Sequence, residues 1–310
     1  MKKIPVWIDT DTGVDDAAAL LVACRLPEIE IVGVSAVNGN TNLANTYRNS
    51  RDVLALAGCA DIPVYKGAAE PLVAVAESAD DFHGRNGLGD VTLPPSPAPH
   101  QTTEAGEALR QALQKYGREL RLVAVGPLTD IARLLLQHPD AADNVGELLI
   151  MGGAVNGGNV TPSAEFNIYA DPEAAEIVFK SGIPIKMFGL DATTEAYFTP
   201  DEFAAMTEKA NPITSFLQGA TGRPWEYYTD GYAKGLILHD ICPVIYLADP
   251  EMFTLQQAGV RVECCGRLTR GKTVCDLYSD FKFSQRNCLV ATSVRRERFV
   301  AKVREVIALY

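Results

Sequence analysis

Up to about residue 188, short apolar runs alternate with longer segments in which apolar residues recur at helical spacing. The apolar runs are rich in Val and Ile, as is typical of strands buried on both faces. They lie at residues 4–8, 29–37, 120–125, 147–151 and 183–188. The amphipathic segments between them predict helices at residues 15–22, 41–57, 102–116, 127–137 and 171–181. Pro127 and Pro172 are placed for the first turn of two of these helices.

This alternation predicts βαβ units and therefore an α/β fold, an open and mostly parallel sheet flanked by helices in a Rossmann-like arrangement. Two segments interrupt the alternation, at residues 77–100 and 156–166, and we expect long loops there. After about residue 199 the pattern predicts helices, then a hairpin at 260–265 and 273–277, then a basic C-terminal helix from Val294. No linker or repeat is evident, so we expect a single domain over residues 1–310.

Residues 266–273 match the phosphate-binding pattern G-x-x-x-x-G-K-[ST]. That loop binds phosphate only when a helix follows it, because the helix N-terminus supplies part of the cradle. The residues that follow, 274–278, form a β-like run instead. We therefore interpret the segment as the turn of the predicted hairpin.

The composition of the 310-residue chain is typical of a globular protein, with 47% hydrophobic and 22% charged residues. It excludes a disordered or low-complexity chain. With 39 acidic and 28 basic side chains the net charge is −11, which disfavours nucleic acid and anionic lipid surfaces as partners. The longest uncharged apolar run, at residues 17–24, is far shorter than a membrane span, and the N-terminal apolar stretch is too short for a signal peptide.

Seven cysteines occur without C-x-x-C spacing, which argues against a metal knuckle or a disulfide framework. We expect buried thiols in a reducing cytoplasm.

The most informative segment is residues 9–16, Asp-Thr-Asp-Thr-Gly-Val-Asp-Asp, directly after the first predicted strand. The start of a helix accounts for one or two of its acids, because the helix dipole favours them there. Four carboxylates together, with no Lys or Arg between residues 4 and 24, indicate a hard divalent cation such as Ca²⁺. They also lie where open α/β sheets bind their ligands.

Three uses of such a cluster remain open from the residues alone. One is a Mg²⁺-dependent phosphatase with Asp9 or Asp11 as nucleophile, although Gly13 stands where that D-x-D-x-[TV] motif has Thr or Val. Another is metal-assisted hydrolysis, in which an aspartate deprotonates a metal-bound water. The third is a Ca²⁺-stabilised binding module without catalysis.

The segment 9–16 resembles the N-terminal motif of the inosine–uridine-type nucleoside hydrolases. The resemblance continues, in family order and over nearly the whole chain, through residues 37–41, 124–129, 151–153, 164–168, 171–175 and 239–240. It implies an enzyme of nucleoside salvage that uses water to cleave the bond between ribose and base, with one tightly bound Ca²⁺. The remaining alternatives are the phosphatase and a Ca²⁺-bound nucleoside-binding protein without turnover.

The resemblance also implies roles for individual residues. The calcium ligands would be the carboxylates of Asp11, Asp15, Asp16 and Asp240 and the main-chain carbonyl of Val125. Asp11 would act as general base on the metal-bound water. The ribose hydroxyls would be held by Asn40, Met151, Glu165 and Asn167, together with Asp15 and Asp240.

On the side of the base, His239 matches the histidine that serves as leaving-group acid in one branch of the family, and imidazole suits that role near neutral pH. His83 lies in the loop where the family contacts the base. Aromatic residues are further candidates to stack on the base, with core packing as the alternative: Phe166, Trp225, Tyr227, Tyr228 and Tyr232. The Arg or Gln that reads the base in some members has no obvious counterpart here, so no base preference is implied. Members form homotetramers or dimers, and we expect a homo-oligomer.

Overall fold

The computed structural model describes residues 2–229, 234–278, 282–283 and 285–310. Within these ranges the strands are β1 (Ile4–Thr10), β2 (Ile29–Ala36), β3 (Val64–Lys66), β4 (Arg121–Ala124), β5 (Glu147–Met151), β6 (Ile185–Phe188), β7 (Tyr197–Phe198), β8 (Leu236–Ile237), β9 (Phe253–Val262), β10 (Thr273–Asp276) and β11 (Cys288–Val294).

The helices of the same ranges are α1 (Val14–Arg25), α2 (Leu43–Leu56), α3 (Asp80–His83), α4 (Ala105–Tyr116), α5 (Thr129–Gln137), α6 (Phe166–Ala170), α7 (Pro172–Phe179), α8 (Leu190–Thr193), α9 (Pro200–Met206), α10 (Pro212–Ala220), α11 (Gly222–Thr229), α12 (Ile241–Ala248) and α13 (Arg296–Ile307). Short 3₁₀ turns lie at Gly117–Glu119, Pro139–Asn144 and Pro250–Met252. None of the helices in the described part of the chain has the length and apolar character needed to cross a membrane.

Nine strands form one sheet in the order β10-β9-β11-β6-β5-β4-β1-β2-β3. The strands from β11 to β3 pair in parallel, and β9 and β10 add an antiparallel edge. The order 3-2-1-4-5-6 within this sheet is that of the Rossmann fold. In that fold the strand order reverses between β1 and β4. The predicted α/β architecture is confirmed.

The alternation of side chains along β1 shows how the sheet is buried on both faces. Val6 and Ile8 belong to one hydrophobic core, whereas Trp7 belongs to the core on the opposite face. Helix α1 lies in the first of these cores, packed against α2, α12 and α13, and its residues 14–23 are all buried. Because α1 is covered on several sides, its apolar residues surround the helix rather than forming one stripe.

All five predicted strands and all five predicted helices are present, with ends shifted by a few residues. Pro172 is the first residue of α7, as predicted, but the placement of Pro127 is wrong because α5 begins at Thr129. The turn at residues 126–127 instead stays at the end of β4, beside Asp11. The pattern did not predict β3, β7 or β8, which have two or three residues each, nor β11.

The C-terminal hairpin and helix are present, but their predicted limits are partly wrong, because β9 runs from Phe253 to Val262 and Val294 is the last residue of β11. Strands β9 and β10 pair as an antiparallel hairpin, with Thr273 opposite Val262, so residues 266–272 are its turn and not a phosphate loop. The basic helix is α13. The two predicted loops are irregular apart from the single turn of α3.

The seven cysteines all lie in the described ranges and are free thiols. Only Cys242 and Cys288 are buried. The expectation of uniformly buried thiols is therefore wrong, because the others lie at helix ends and along the edge hairpin, where the core is not closed.

Candidate active site

The candidate site lies at the carboxyl ends of β1, β4 and β5, where the strand order reverses. In open α/β sheets the loops diverge at this point and leave a crevice. The segment after β1 supplies Asp11, Asp15 and Asp16, and the segment after β2 supplies Asn40. Each of these four polar side chains is buried. Buried carboxylates require hydrogen bonds or a cation.

Asp16 is held in place by neutral donors. One carboxylate oxygen accepts from the Thr10 hydroxyl at 2.6 Å. The other accepts from the Gly13 amide and from Asn40 Nδ2, both at 2.9 Å. Burial nevertheless raises the pKa of Asp16 above its ordinary value. The start of α1 therefore orients this carboxylate without neutralising its charge.

Asp11 is satisfied on one side only. Its Oδ2 accepts from the backbone amide of Asn40 at 2.6 Å, while Oδ1 has no hydrogen-bond partner in the described part of the chain. Gly39 and Gly126 lie so close that a Cβ on either would come within 2.0 and 2.8 Å of the Asp11 carboxylate. Burial, followed by repulsion from Asp16, raises the pKa of Asp11 well above its usual range.

Asp15, Asp16 and Asp240 form a group of carboxylates, one oxygen of each lying within 4.8 Å of the others. Asp240 occupies the N-cap position of α12, but its side chain makes no capping hydrogen bond, so helix capping does not explain it. Burial and repulsion from Asp16 raise the pKa of Asp15 to about 8. Burial and repulsion from Asp15 raise the pKa of Asp240 as well. Such crowding of acids is what a divalent cation relieves.

A second group of residues lines the crevice from β4 and β5. Asn167 Nδ2 donates to the carbonyl oxygens of Val125 at 2.8 Å and Met151 at 3.1 Å, which joins the ends of the two strands. Glu165 caps α6, accepting from the amides of Asn167 at 2.9 Å and Gly153 at 2.8 Å. Burial raises the pKa of Glu165 to about 7. Its charge adds to the repulsion that acts on Asp15, so the two groups share one site.

Two histidines close the crevice. His83 Nδ1 accepts from the Val14 amide at 3.1 Å and lies 3.9 Å from Asp15 Oδ1. His239 Nδ1 lies 2.8 Å from the Thr193 hydroxyl, and its Nε2 lies 3.2 Å from the Tyr228 hydroxyl. Burial lowers the pKa of His83 to about 3 and that of His239 to about 4. Both rings are therefore neutral at pH 7.

The aromatic candidates divide into different roles. Tyr228 is buried and contacts His239, whereas the half-exposed Tyr227 packs edge-on against Phe82 with ring centroids 5.3 Å apart. Phe82 also contacts the His83 ring, with ring centroids 4.8 Å apart.

Trp225 packs against Phe203 in the core. Phe166 begins α6 and is partly exposed, and Tyr232 lies outside the described residues.

Asp9 does not join the other acids, so the expectation of four clustered carboxylates is wrong. It accepts a hydrogen bond from Ser35 and contacts the carboxyl group of Asp130, and burial raises the pKa of both acids. Asp9 still lies within β1 and projects to the same face as Trp7. After Thr10 the chain leaves the strand, and this turn carries Asp11 away from Asp9.

Sequence reasoning missed the contribution of the β9–β10 hairpin. Lys272 Nζ donates to three carbonyl oxygens of the segment 154–157 at 2.9–3.3 Å. The buried Thr273 hydroxyl donates to Ala154 O at 2.7 Å and accepts from its amide at 2.9 Å. This segment follows Gly153, whose amide binds Glu165. Phe82, Thr193 and Ser35 were also missed, since no local motif marks them.

Comparison with known proteins gives consistent results. The sequence model of one family, described as inosine-uridine preferring nucleoside hydrolase, matches residues 6–301. A pyrimidine-specific ribonucleoside hydrolase RihA from Citrobacter koseri is 40% identical to this chain over 99% of both chains. Two solved structures cover almost all of it: a plant nucleoside hydrolase (TM-score 0.93, 31% identity, 99% of both chains) and a purine-preferring ribonucleoside hydrolase from Gardnerella vaginalis (TM-score 0.92, 32% identity, 98% of both).

Proposed function

The chain belongs to the inosine-uridine preferring nucleoside hydrolase family and is a ribonucleoside hydrolase, and we propose that it works with one bound Ca²⁺. The observation that carries the proposal is the buried carboxylate group of Asp15, Asp16 and Asp240, with oxygens within 4.8 Å of one another. The described residues form no ion pair between this group and a Lys or Arg, His83 near Asp15 is neutral, and the hydrogen bonds on Asp16 come from neutral donors.

The donor set fits a hard cation. All candidate ligands are oxygens, from Asp11, Asp15, Asp16, Asp240 and the Val125 carbonyl, and Ca²⁺ prefers six to eight such ligands. Asp11 Oδ1 and Asp15 Oδ1 are buried and have no hydrogen-bond partner within the described ranges. When bound, the ion would hold the ribose hydroxyls and make the attacking water more acidic. This set of candidate ligands contains no Cys sulfur or His nitrogen, which disfavours zinc.

Asp11 is the proposed general base. Its Oδ1 is buried and has no hydrogen-bond partner in the described ranges, and the Asn40 amide fixes the other oxygen, so the side chain could take a proton from the attacking water without changing its rotamer. Asp9 is buried beside Asp130 and away from Asp11, Asp15 and Asp16, which disfavours its use as the nucleophile of the phosphatase alternative.

The ribose would lie between the two polar groups of the site. Asn40 and Asp15 approach from the side of β1 and β2, and Glu165, Asn167 and Met151 from the side of β4 and β5. Their anionic charge would stabilise the positive charge that develops on the sugar as the glycosidic bond breaks. A phosphate group on the substrate would be repelled, so nucleotides should be poor substrates.

His239 is the proposed leaving-group acid, with the base lying near His83, Phe166 and Tyr227. Because the ring is neutral in the free enzyme, the role requires its pKa to rise when the substrate is bound. Negative charge developing on the departing base does this by stabilising the imidazolium form. Thr193 and Tyr228 hold the two ring nitrogens in position meanwhile.

We propose pyrimidine ribonucleosides as the preferred substrates. The support is the 40% identity, over 99% of both chains, to a protein named as a pyrimidine-specific ribonucleoside hydrolase. The purine-preferring protein from Gardnerella vaginalis is less similar, at 32% identity.

One panel of substrates tests the proposal. The enzyme is incubated separately with uridine, cytidine, inosine, uridine 5′-monophosphate and p-nitrophenyl phosphate, and free ribose and free phosphate are measured. We expect ribose release from uridine and cytidine at a higher kcat/KM than from inosine, and no phosphate release. Phosphate release without ribose would support the phosphatase. Binding of uridine without ribose release would support a binding protein.

A further inference from the structure

A pair of cysteines lies away from the active site. Cys24 is in the last turn of α1 and Cys59 follows α2, and both are partly exposed. About two helical turns separate Cys24 from Asp16, at the other end of α1. The two thiols are close enough for each to shift the pKa of the other, although 34 residues lie between them in the sequence.

A fixed cation lies beside this pair. Arg25 Nη1 is 3.8 Å from Cys59 Sγ, and Arg25 Nη2 donates to the Ala57 carbonyl at 2.8 Å. The guanidinium also stacks on the ring of Tyr310, 4.1 Å from its centroid, while the Tyr310 hydroxyl is anchored on the carbonyl of Leu21. Arg25 therefore cannot swing away from the sulfur without losing these contacts.

The pKa values of the two thiols are shifted in opposite directions. The hydrogen bond from the Cys24 thiol, followed by the Arg25 guanidinium, lowers the pKa of Cys59 to about 6. The same hydrogen bond, together with burial, raises the pKa of Cys24. Cys59 is therefore the thiolate at pH 7, and Cys24 is the thiol that donates to it.

We propose that Cys59 and Cys24 form a peroxide-reactive dithiol, in which Cys59 is oxidised first and Cys24 then closes a disulfide. A partly exposed cysteine beside a cation and a second thiol is the environment of redox-sensitive cysteines in other proteins. Cys242 and Cys288 differ from this pair, because both are buried in apolar surroundings, which raises the pKa of their thiols.

The chemistry balances with a peroxide as the oxidant. The Cys59 thiolate attacks one oxygen of hydrogen peroxide, the O–O bond breaks, and the hydroxide released takes up a proton to leave as water. Cys59 is then a sulfenic acid. The Cys24 sulfur attacks the Cys59 sulfur, the S–O bond breaks, and the proton of Cys24 leaves with the hydroxyl as a second water. Two thiols lose two electrons and the peroxide gains them.

Peptide mapping of the oxidised full-length protein tests the disulfide. The reduced and desalted protein is treated with a few equivalents of hydrogen peroxide, blocked with N-ethylmaleimide and digested with trypsin without reductant. We expect peptides 4–25 and 52–66 to be joined and lighter by two hydrogen atoms than their sum. In Cys24→Ser the reaction should stop at a Cys59 sulfenic acid that dimedone traps, and in Cys59→Ser the joined peptide should be absent.

A second measurement on the unmodified sequence does not depend on a variant that folds. Brief alkylation with iodoacetamide at pH 6.5 should modify Cys59 about 5-fold faster than the exposed Cys265, because the Arg25 guanidinium beside Cys59 favours its thiolate and this outweighs the lower intrinsic nucleophilicity of that thiolate. Arg25→Gln should reduce this advantage. Equal alkylation rates, or a peroxide-induced disulfide that joins other cysteines, would overturn the proposal. Neither result would bear on ribonucleoside hydrolysis, which is measured separately.

Discussion

At the scale of single residues, the site is defined by carboxylate oxygens that are buried but not satisfied. Asp11 and Asp15 each keep one oxygen without a hydrogen-bond partner in the ranges that the structure describes. Leaving a buried charged group unpaired is costly, so such atoms indicate a missing ligand or a catalytic role. Their neighbours Thr10, Gly13 and Asn40 fix the geometry around them.

The proposed role of Asp11 as general base predicts a large kinetic effect for an isosteric substitution. Asp11→Asn should lower kcat/KM for uridine by about 10³-fold, because the amide cannot accept the proton of the attacking water. Ribose release measured by a reducing-sugar assay gives the rate. Asp201→Asn, an exposed acid in the first turn of α9, is the control and should leave the rate unchanged. A loss below 3-fold in Asp11→Asn would contradict the assignment.

The acid role of His239 predicts a dependence on the leaving group. His239→Ala should slow uridine hydrolysis by about 10²-fold but leave p-nitrophenyl riboside nearly unaffected, because nitrophenolate departs without a proton. Both reactions are followed with the same enzyme preparation. Equal losses on the two substrates would refute the role of acid and leave His239 as a packing residue.

At the scale of elements, the edge hairpin supports the side of the site that we propose to bind ribose. Lys272 and Thr273 of the β9–β10 hairpin fix the segment 154–157, and Asp191 of α8 accepts from the Val155 amide at 2.6 Å. The segment is therefore held from two sides. Gly153, at its start, in turn donates to Glu165. Small displacements of groups that position a substrate cost much in rate.

This arrangement predicts that a residue of the hairpin affects catalysis from a distance. Lys272→Met should lower kcat/KM for uridine by about 10-fold, with a higher KM, because the segment that supports Glu165 loses three hydrogen bonds. Lys272→Arg should restore part of the loss. Arg267→Met, an exposed position in the same turn, is the matched control. Steady-state kinetics of the three variants test the prediction, and an unchanged KM in Lys272→Met would contradict it.

The elements show how far the sequence predicts this protein. Strands buried on both faces and their helices follow from apolar periodicity, so β1, β2, β4, β5 and β6 were predicted. The carboxylates after β1 follow from one local motif. The contacts of Lys272, Thr193 and Phe82 cannot be predicted from a local motif, because each contact joins segments that are far apart in the chain. The separation of Asp9 from Asp11 depends on the residue at which β1 ends, and a pattern locates strand ends only approximately.

At the scale of the whole molecule, the carboxylates link stability to pH. Burial and repulsion from Asp16 raise the pKa of Asp15 from its ordinary value of 3.8 to about 8. Between these values the folded chain keeps a proton that the unfolded chain releases. The contribution of this group to stability is therefore present below about pH 4 and is lost as pH rises toward 8.

A bound ion should reverse that loss. For the metal-free protein we expect the contribution of these acids to lower the unfolding temperature between pH 5.5 and 8. Adding Ca²⁺ at 100 times its Kd should stabilise the fold by about 2.7 kcal/mol and raise the unfolding temperature of a chain of this length by about 4 °C. Calorimetry with and without Ca²⁺ measures both effects. In Asp240→Asn the Ca²⁺ shift should shrink, and a full shift there would exclude Asp240 as a ligand.

The net charge of −11 is not spread evenly over the molecular surface. Part of the acidic excess is concentrated in one crevice, where it would bind Ca²⁺ and a sugar that becomes positively charged. The surface is correspondingly less acidic than the sequence total implies.

The most direct test of the central proposal is ribose release from uridine at controlled free Ca²⁺. The enzyme is stripped with a chelator, and its activity is measured in calcium buffers alongside calorimetric titration of Ca²⁺ into the same preparation. We predict activity that follows the occupancy of a single calcium site and returns fully when Ca²⁺ is restored. Full activity of the stripped enzyme, with no binding of Ca²⁺ detected, would contradict the proposal.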